Sequence, residues 1–156
     1  MSTKRKGWHE YFMNLAELTS TRGTCDRARV GCVLVKDKLV IAGGYNGSLP
    51  GADHCDDIGH FMQEGHCRRT NHSEANMIAS AAKRGVSTDG GVLYCTHTPC
   101  ITCLKLLVAA GVHTVYYLNE YRIEDVPDFV KEKVRLVKFN KNLDTLNEVI
   151  VRKDYL

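Results

Sequence analysis

The chain has 156 residues, 44% hydrophobic and 25% charged, a balance that suits one globular domain (1–156) with a buried core. Its 21 basic and 18 acidic residues leave a net charge of +3, and basic charge gathers only at Lys4-Arg5-Lys6, which argues against a nucleic-acid partner. No apolar run approaches the ~18 residues of a membrane span, and residues 1–7 lack a signal-peptide pattern; the seven cysteines therefore read as reduced thiols and metal sites of a cytoplasmic protein.

Trp8, Tyr11, Phe12, Leu15 and Leu18 fall on one stripe of a 3.6-residue period, which predicts a helix over residues 8 to about 19. Residues 30–35 and 39–42 are apolar, β-branched runs around Lys36-Asp37-Lys38 and read as a hairpin. Cys32 and, later, Cys95 lie inside strands and read as core thiols. Between Gly47 and Asn71 the periodicity disappears in favour of Gly, Asp, His, Cys and Arg. A loop that long needs something other than apolar packing to order it, and a metal is the obvious candidate. Helix and strand then alternate: helix 72–84, strand 92–96, helix 99–110, strand 114–118, a helix near 125–132 and strand 134–138. Gly85 and Gly111 stand where helix C-caps belong. In the weakly patterned stretch 140–156, Leu143, Leu146, Val149 and Ile150 read as a closing helix. The order predicts an α/β fold, a three-layer α/β/α sandwich around a central mixed sheet of about five strands.

His72-Ser73-Glu74 and Pro99-Cys100-Ile101-Thr102-Cys103 together form the H-x-E…P-C-x-x-C pattern of zinc-dependent deaminases. Each half also has a local reading. Asn71 with Glu74 looks like a capping box, and Thr98-Pro99 like an N-cap followed by proline at N1. Capping explains where helices start, but not why Glu74, Met77, Ile78, Ala81 and Ala82 share an apolar stripe with a carboxylate at its head. Cys100, Cys103, Leu104, Leu107 and Val108 repeat that series with thiols. A buried, unpaired carboxylate is costly, and a bound cation with a polar substrate removes the objection. Three ligands, His72, Cys100 and Cys103, leave a tetrahedral zinc one open position for water, and Glu74 beside it is suited to general acid–base work.

In these motifs the chain resembles the deoxycytidylate (dCMP) deaminases of the cytidine deaminase superfamily. The resemblance rests on Cys25 with Arg29-Val30-Gly31, on Gly44-Tyr45-Asn46-Gly47, on His54-Cys55-Asp56, on the two zinc motifs, and on Tyr116-Tyr117-Leu118-Asn119-Glu120-Tyr121. It implies a cytidine deaminase-like fold and hydrolysis of dCMP to dUMP with release of ammonia, supplying dUMP for thymidylate synthesis. It further implies a homo-hexamer activated by dCTP and inhibited by dTTP, with Mg²⁺ accompanying the effector. By position, Asn46 and Tyr121 are substrate-binding candidates and Gly44, Tyr45, Asn46 and Gly47 effector-binding ones. Arg27 and Arg29 are the nearest cations for a 5′-phosphate. The family usually has alanine where this chain has Ser73. Ser80 and Lys83 replace an aromatic residue and an arginine found in strongly regulated members, which bears on the effector response.

The resemblance also implies a second, structural zinc held from the long loop: Cys25 and Cys55 match two ligands, Cys67 is a third, and His66 the fourth with His60 as its alternative. Two rival functions are a nucleoside or tRNA deaminase on the same fold and a purely structural zinc-binding module. The near-neutral charge speaks against tRNA, and a structural module leaves Glu74 unexplained.

Overall fold

The computed structural model describes residues 5–141 and the backbone of 145–150. Helix α1 (Trp8–Ser20) precedes a hairpin of β1 (Gly31–Lys36) and β2 (Leu39–Tyr45). The long loop contains helix α2 (Cys55–Ile58) and a small hairpin of β3 (Met62–Gln63) and β4 (His66–Cys67). There follow α3 (Ser73–Arg84), β5 (Val92–His97), α4 (Ile101–Ala109), β6 (Thr114–Asn119), a 3-10 turn (Ile123–Asp125), α5 (Asp128–Lys131), β7 (Arg135–Asn140) and β8 (Thr145–Ile150). The main sheet runs β2-β1-β5-β6-β7-β8, with β5, β6 and β7 parallel and the flanking pairs antiparallel. It is the expected mixed sheet of five strands, β2 through β7, carrying β8 along its edge.

β8 corrects the closing helix expected over 140–156. Leu146 pairs with Phe139 and Ile150 with Leu136 across an antiparallel ladder. The free edge of β7 offers backbone donors and acceptors that a further strand satisfies, a tertiary demand that helical spacing does not register. Leu143, residues 151–156 and Lys4 lie outside the described residues. The helix expected near 125–132 is likewise divided, because Pro127 in extended conformation separates the 3-10 turn from α5.

Both sheet faces are covered, as period-two alternation requires. Cys32, Leu34, Leu93, Cys95, Val115, Tyr117 and Leu136 point to the core shared with α3 and α4. Val33, Val35, Tyr94 and Phe139 point to α1. Of the stripe read on α1, Phe12 and Leu15 pack on that second face, but Trp8, Tyr11 and Leu18 stay 43%, 44% and 66% exposed. Instead His9, Phe12, Met13 and Ala16, which follow the same i, i+3, i+4, i+7 spacing, turn inward. His9 Nδ1 meets the Tyr94 hydroxyl at 2.9 Å, and small Ala16 lets the helix approach Gly31, where any β-carbon would strike the Ala16 carbonyl. Close approach selected the smaller stripe over the more aromatic one. No described helix is long and apolar enough to cross a membrane.

The β1–β2 turn places Asp37 and Lys38 at φ 52° and 62°, the paired left-handed conformation of a tight type I′ hairpin. At the far end of β2, Gly44 lies directly under the start of α3. A β-carbon there would collide with the Ser73 carbonyl and come within 2.6 Å of the Met77 amide nitrogen, both backbone atoms that cannot step aside. Gly44→Ala is therefore expected to lower the thermal midpoint by roughly 5–10 °C, the size of an overpacking strain of a few kcal/mol. Circular dichroism melts would show it; an unchanged midpoint would mean the helix can retreat freely.

Candidate active site and metal centres

The first turns of α3 and α4 face one another, and each begins at a candidate ligand. His72 and Cys100 are themselves the N-cap residues, with extended backbones at φ −65°, ψ 155° and φ −68°, ψ 166°. This corrects the caps expected at Asn71 and Thr98. Asn71 instead exchanges both backbone hydrogen bonds with Gly47. The Thr98 hydroxyl donates to the Asn119 carbonyl and accepts from the Tyr121 amide, both at 3.3 Å. The shift of one or two positions brings the imidazole and thiol to the positive ends of their helices, where anionic groups are favoured.

His72 Nδ1 is 3.5 Å from the sulfur of Cys100 and 3.5 Å from that of Cys103. All three ligand atoms lie within 4.8 Å of one another. Tetrahedral zinc with Zn–N near 2.05 Å and Zn–S near 2.3 Å has N···S edges of about 3.6 Å, so the cluster fits the ion. Its electrostatics fit as well. Hydrogen bonding from the Cys103 thiol, with His72 and the Cys103 amide, lowers Cys100 to about 4. The Cys103 thiol is pushed far up by the same bond and by burial. His72 is raised, chiefly by its bond to Cys100. One thiolate beside a thiol that resists ionising is a ligand set that a dication completes.

Glu74, two residues beyond His72, is 4% exposed, and burial raises its pKa. His72 and Cys100 lie near enough to act on its charge, in opposite directions. Its Oε2 accepts a hydrogen bond from Ser73 Oγ at 3.1 Å, and its Oε1 accepts from Cys95 Sγ at 3.6 Å. Three candidate ligands and a buried acid thus lie together between two helix starts, at the carboxyl end of β5. Such an arrangement can activate a water and ferry its protons.

The long loop forms a second cluster. Cys25, Cys55, His60 and Cys67 present four ligand atoms within 4.8 Å of one another. Cys55 and Cys67 sulfurs are 3.6 Å apart, and Cys25 Sγ is 3.5 Å from His60 Nδ1, again near the edges of a zinc tetrahedron. His60 replaces His66 in this set. His66 and Cys67 are neighbours on β4, so their side chains take opposite faces and only the cysteine joins the cluster. Burial, with Cys67 and Cys25 alongside, pushes Cys55 up to about 12. Although burial opposes it, hydrogen bonds from the Arg69 and Phe61 backbone bring Cys67 down to about 6. Asp26 Oδ1 lies 3.1 Å from His60 Nε2, which leaves Nδ1 to face the sulfurs.

The remaining candidates are distributed around these clusters. Asn46 is buried, its Oδ1 accepting from the Val30 amide at 2.8 Å and its Nδ2 donating to the Ala28 carbonyl at 2.6 Å. Those bonds hold the entry to β1 and leave one proton and one lone pair of the amide for a ligand. Gly47 is bridged to Asn71, and Tyr45 sits between Asn46 and the α3 face. Arg27 donates to the Gly65 carbonyl, and Arg29 donates to the Gly23 carbonyl and pairs with Asp56 at 3.3 Å. Both arginines thus brace the second cluster. Tyr121 is exposed, with the Arg122 guanidinium 5.3 Å from its ring centre.

Sequence reasoning passed over Asn76 and Arg68, and it read Cys95 rightly as a core thiol but without its contact to Glu74. Asn76 Nδ2 donates to the Tyr45 carbonyl at 2.9 Å and its Oδ1 accepts from Asn71 at 3.2 Å, tying β2 to the residue before His72. Its place four residues after His72, on the same helix face, was the available signal. Arg68 lies close enough to His72 to oppose its protonation, and its charge was hidden in a stretch without periodicity. Cys95 carried no signal beyond a strand position.

The cytidine and deoxycytidylate deaminase zinc-binding region matches residues 6–119. ComE operon protein 2 of Bacillus subtilis (strain 168) is 49% identical over 119 residues, covering 76% of this chain and 63% of that protein. The deoxycytidylate deaminase of Schizosaccharomyces pombe is 35% identical over 135 residues, covering 77% of this chain and 39% of its own length. The chain therefore spans less than two thirds of either. Among solved structures, the dCMP deaminase of cyanophage S-TIM5 in complex with dCMP and dUMP superposes with a TM-score of 0.74 at 36% identity. That match covers 87% of this chain and 99% of the phage chain.

Proposed function

The chain belongs to the family of the cytidine and deoxycytidylate deaminase zinc-binding region, and from that premise we propose that it hydrolyses dCMP to dUMP and ammonia. The observation that carries the reading is the open three-ligand cluster of His72, Cys100 and Cys103 with the buried Glu74 beside it. The likeness along nearly the whole of a phage chain bound to dCMP and dUMP supports the choice of substrate.

His72, Cys100 and Cys103 would hold the zinc, which when bound lowers the pKa of water towards ~7. Glu74 takes a proton from the attacking water and passes it to the ring nitrogen beside the carbon under attack. The water oxygen bonds to that carbon, Glu74 then takes the second proton from the new hydroxyl and gives it to the amino group, and the C–N bond breaks with ammonia as the leaving group. Burial raises Glu74, so the proton it takes is well retained between these transfers. Asn46, Tyr121 and Arg27 are proposed to meet the nucleotide, with Arg68 as a further cation near the ligand cluster.

Cys25, Cys55, His60 and Cys67 are proposed to hold a second, structural zinc, a four-ligand and therefore closed set. The finer parts of the reading go with the family resemblance. They are one domain over 1–156, a cytoplasmic homo-hexamer, supply of dUMP for thymidylate synthesis, and activation by dCTP and inhibition by dTTP with Mg²⁺ at Gly44, Tyr45, Asn46 and Gly47. Ser80 and Lys83 stand where strongly regulated members carry an aromatic residue and an arginine, so the strength and sign of the effector response are to be read from the assay with dCTP and dTTP.

Ultraviolet assays of dCMP, CMP, deoxycytidine and cytidine, each with and without dCTP or dTTP plus Mg²⁺, test the reading. dCMP should be preferred over deoxycytidine by about 100-fold or more in kcat/KM, since a site built around a charged phosphate leaves its donors unpaired without it. Preference for deoxycytidine would overturn the choice of substrate.

A further inference from the structure

The carboxylate of Glu74 is held from behind on both of its oxygens. Oε2 accepts from Ser73 Oγ at 3.1 Å and Oε1 from Cys95 Sγ at 3.6 Å, while Ser73 Oγ and Cys95 Sγ are 4.0 Å apart. We propose that Ser73 and Cys95 are positioning residues that fix the plane of the Glu74 carboxylate for proton transfer, Ser73 being the stronger of the two. The inference rests on the deaminase reading above.

The terminal torsion of a glutamate is broad, so a carboxylate without partners swings about its last bond. Two donors reaching different oxygens from different directions remove that freedom. Each oxygen keeps a second lone pair for water or substrate on the open side. Both donors are 0% exposed, so solvent cannot take over their role. They also belong to separate, rigid supports. Ser73 opens α3, pressed against β2 at Gly44. Cys95 stands mid-strand in β5, opposite Cys32 of β1 and Tyr117 of β6.

Packing alone does not account for the Ser73 hydroxyl. The position tolerates no exposure, an alanine methyl would fill nearly the same space, and the helix cap is His72. A buried hydroxyl needs a partner, and the structure gives it Glu74 Oε2 and, more distantly, Cys95 Sγ. The proposed general base therefore has a buried hydroxyl donor that an alanine at position 73 would remove.

The test compares zinc-loaded wild type with Ser73→Ala, Cys95→Val and Cys95→Ser in steady-state dCMP turnover, recording zinc per chain and thermal midpoint. Ser73→Ala should lower kcat about tenfold, the effect of one hydrogen bond to a charged group, with zinc retained. KM should stay within about twofold, because the lost interaction serves the transition state and not binding. Cys95→Val should lower kcat about threefold as the weaker donor goes, and Cys95→Ser, which keeps a donor, should recover most of that loss. An unchanged kcat in Ser73→Ala, or a fall in which KM and zinc content move with it, would overturn the proposal. If Ser73→Ala folds poorly, the Val–Ser contrast at position 95 decides alone: equal kcat values sink the idea. A wild-type protein silent towards dCMP would instead fail the deaminase reading, a distinct result because no variant could then be compared.

Discussion

Glu74→Gln is expected to keep its zinc and its fold and to lose about 10³-fold or more in kcat on dCMP. The substitution is isosteric and neutral at a site where burial already favours the uncharged form, so packing of Met77 and Ala81 behind it should survive. The candidate ligands His72, Cys100 and Cys103 are untouched. What disappears is the buried carboxyl beside the ligand cluster that the proposed mechanism uses to take a proton and return it, and an amide does neither at neutral pH. Turnover measured on protein with full zinc occupancy, beside a thermal melt, separates loss of chemistry from loss of structure. A metal-replete variant retaining a tenth of wild-type activity would remove Glu74 from the mechanism.

Cys55→Ala should have the largest effect on stability. Cys55 is buried, and it shares its sulfur neighbourhood with Cys67 at 3.6 Å in a segment with few other buried side chains. Among the residues of 50–70, the hairpin β3–β4 pairs only Met62 with Cys67 and Gln63 with His66. A segment so thinly packed cannot offset its ordering entropy by burial, and a structural zinc contributes on the order of 10 kcal/mol to segments of this kind. The main sheet has its own core, so the loss should be local in part. We expect zinc per chain to fall by one, the thermal midpoint to drop by roughly 10 °C, and proteases to cut within 54–71. Two zincs per chain in the purified variant, or an unchanged midpoint, would refute a metal at this cluster. Activity should fall too, because Asn71, bridged to Gly47 at the end of the same loop, leads directly into His72.

The catalytic constellation was legible because it is local. Cys100 and Cys103 are one helical turn apart, and Glu74 is two residues from His72, so their relative positions hardly depend on the rest of the fold. The alternating strands were legible for a similar reason, since burial on both sheet faces leaves short apolar runs bounded by glycine. The face of α1 was not. Two stripes of equal periodicity compete there, and the choice fell to His9, Phe12, Met13 and Ala16 only because Gly31 and Ala16 allow close approach to the sheet. Nor was β8, whose pairing answers the open edge of β7.

Spacing along the chain was enough to mark the candidate ligands, the acid beside them and the alternation that builds the sheet, because each is a relation between neighbours. Packing between distant segments settled the rest. It chose His60 over His66 as the companion of Cys25, Cys55 and Cys67, through the facing of adjacent residues on β4. It moved the helix caps onto His72 and Cys100, and it brought Cys95 from β5 beneath Glu74. Those are relations between distant segments, set by register and close packing, which no local pattern encodes.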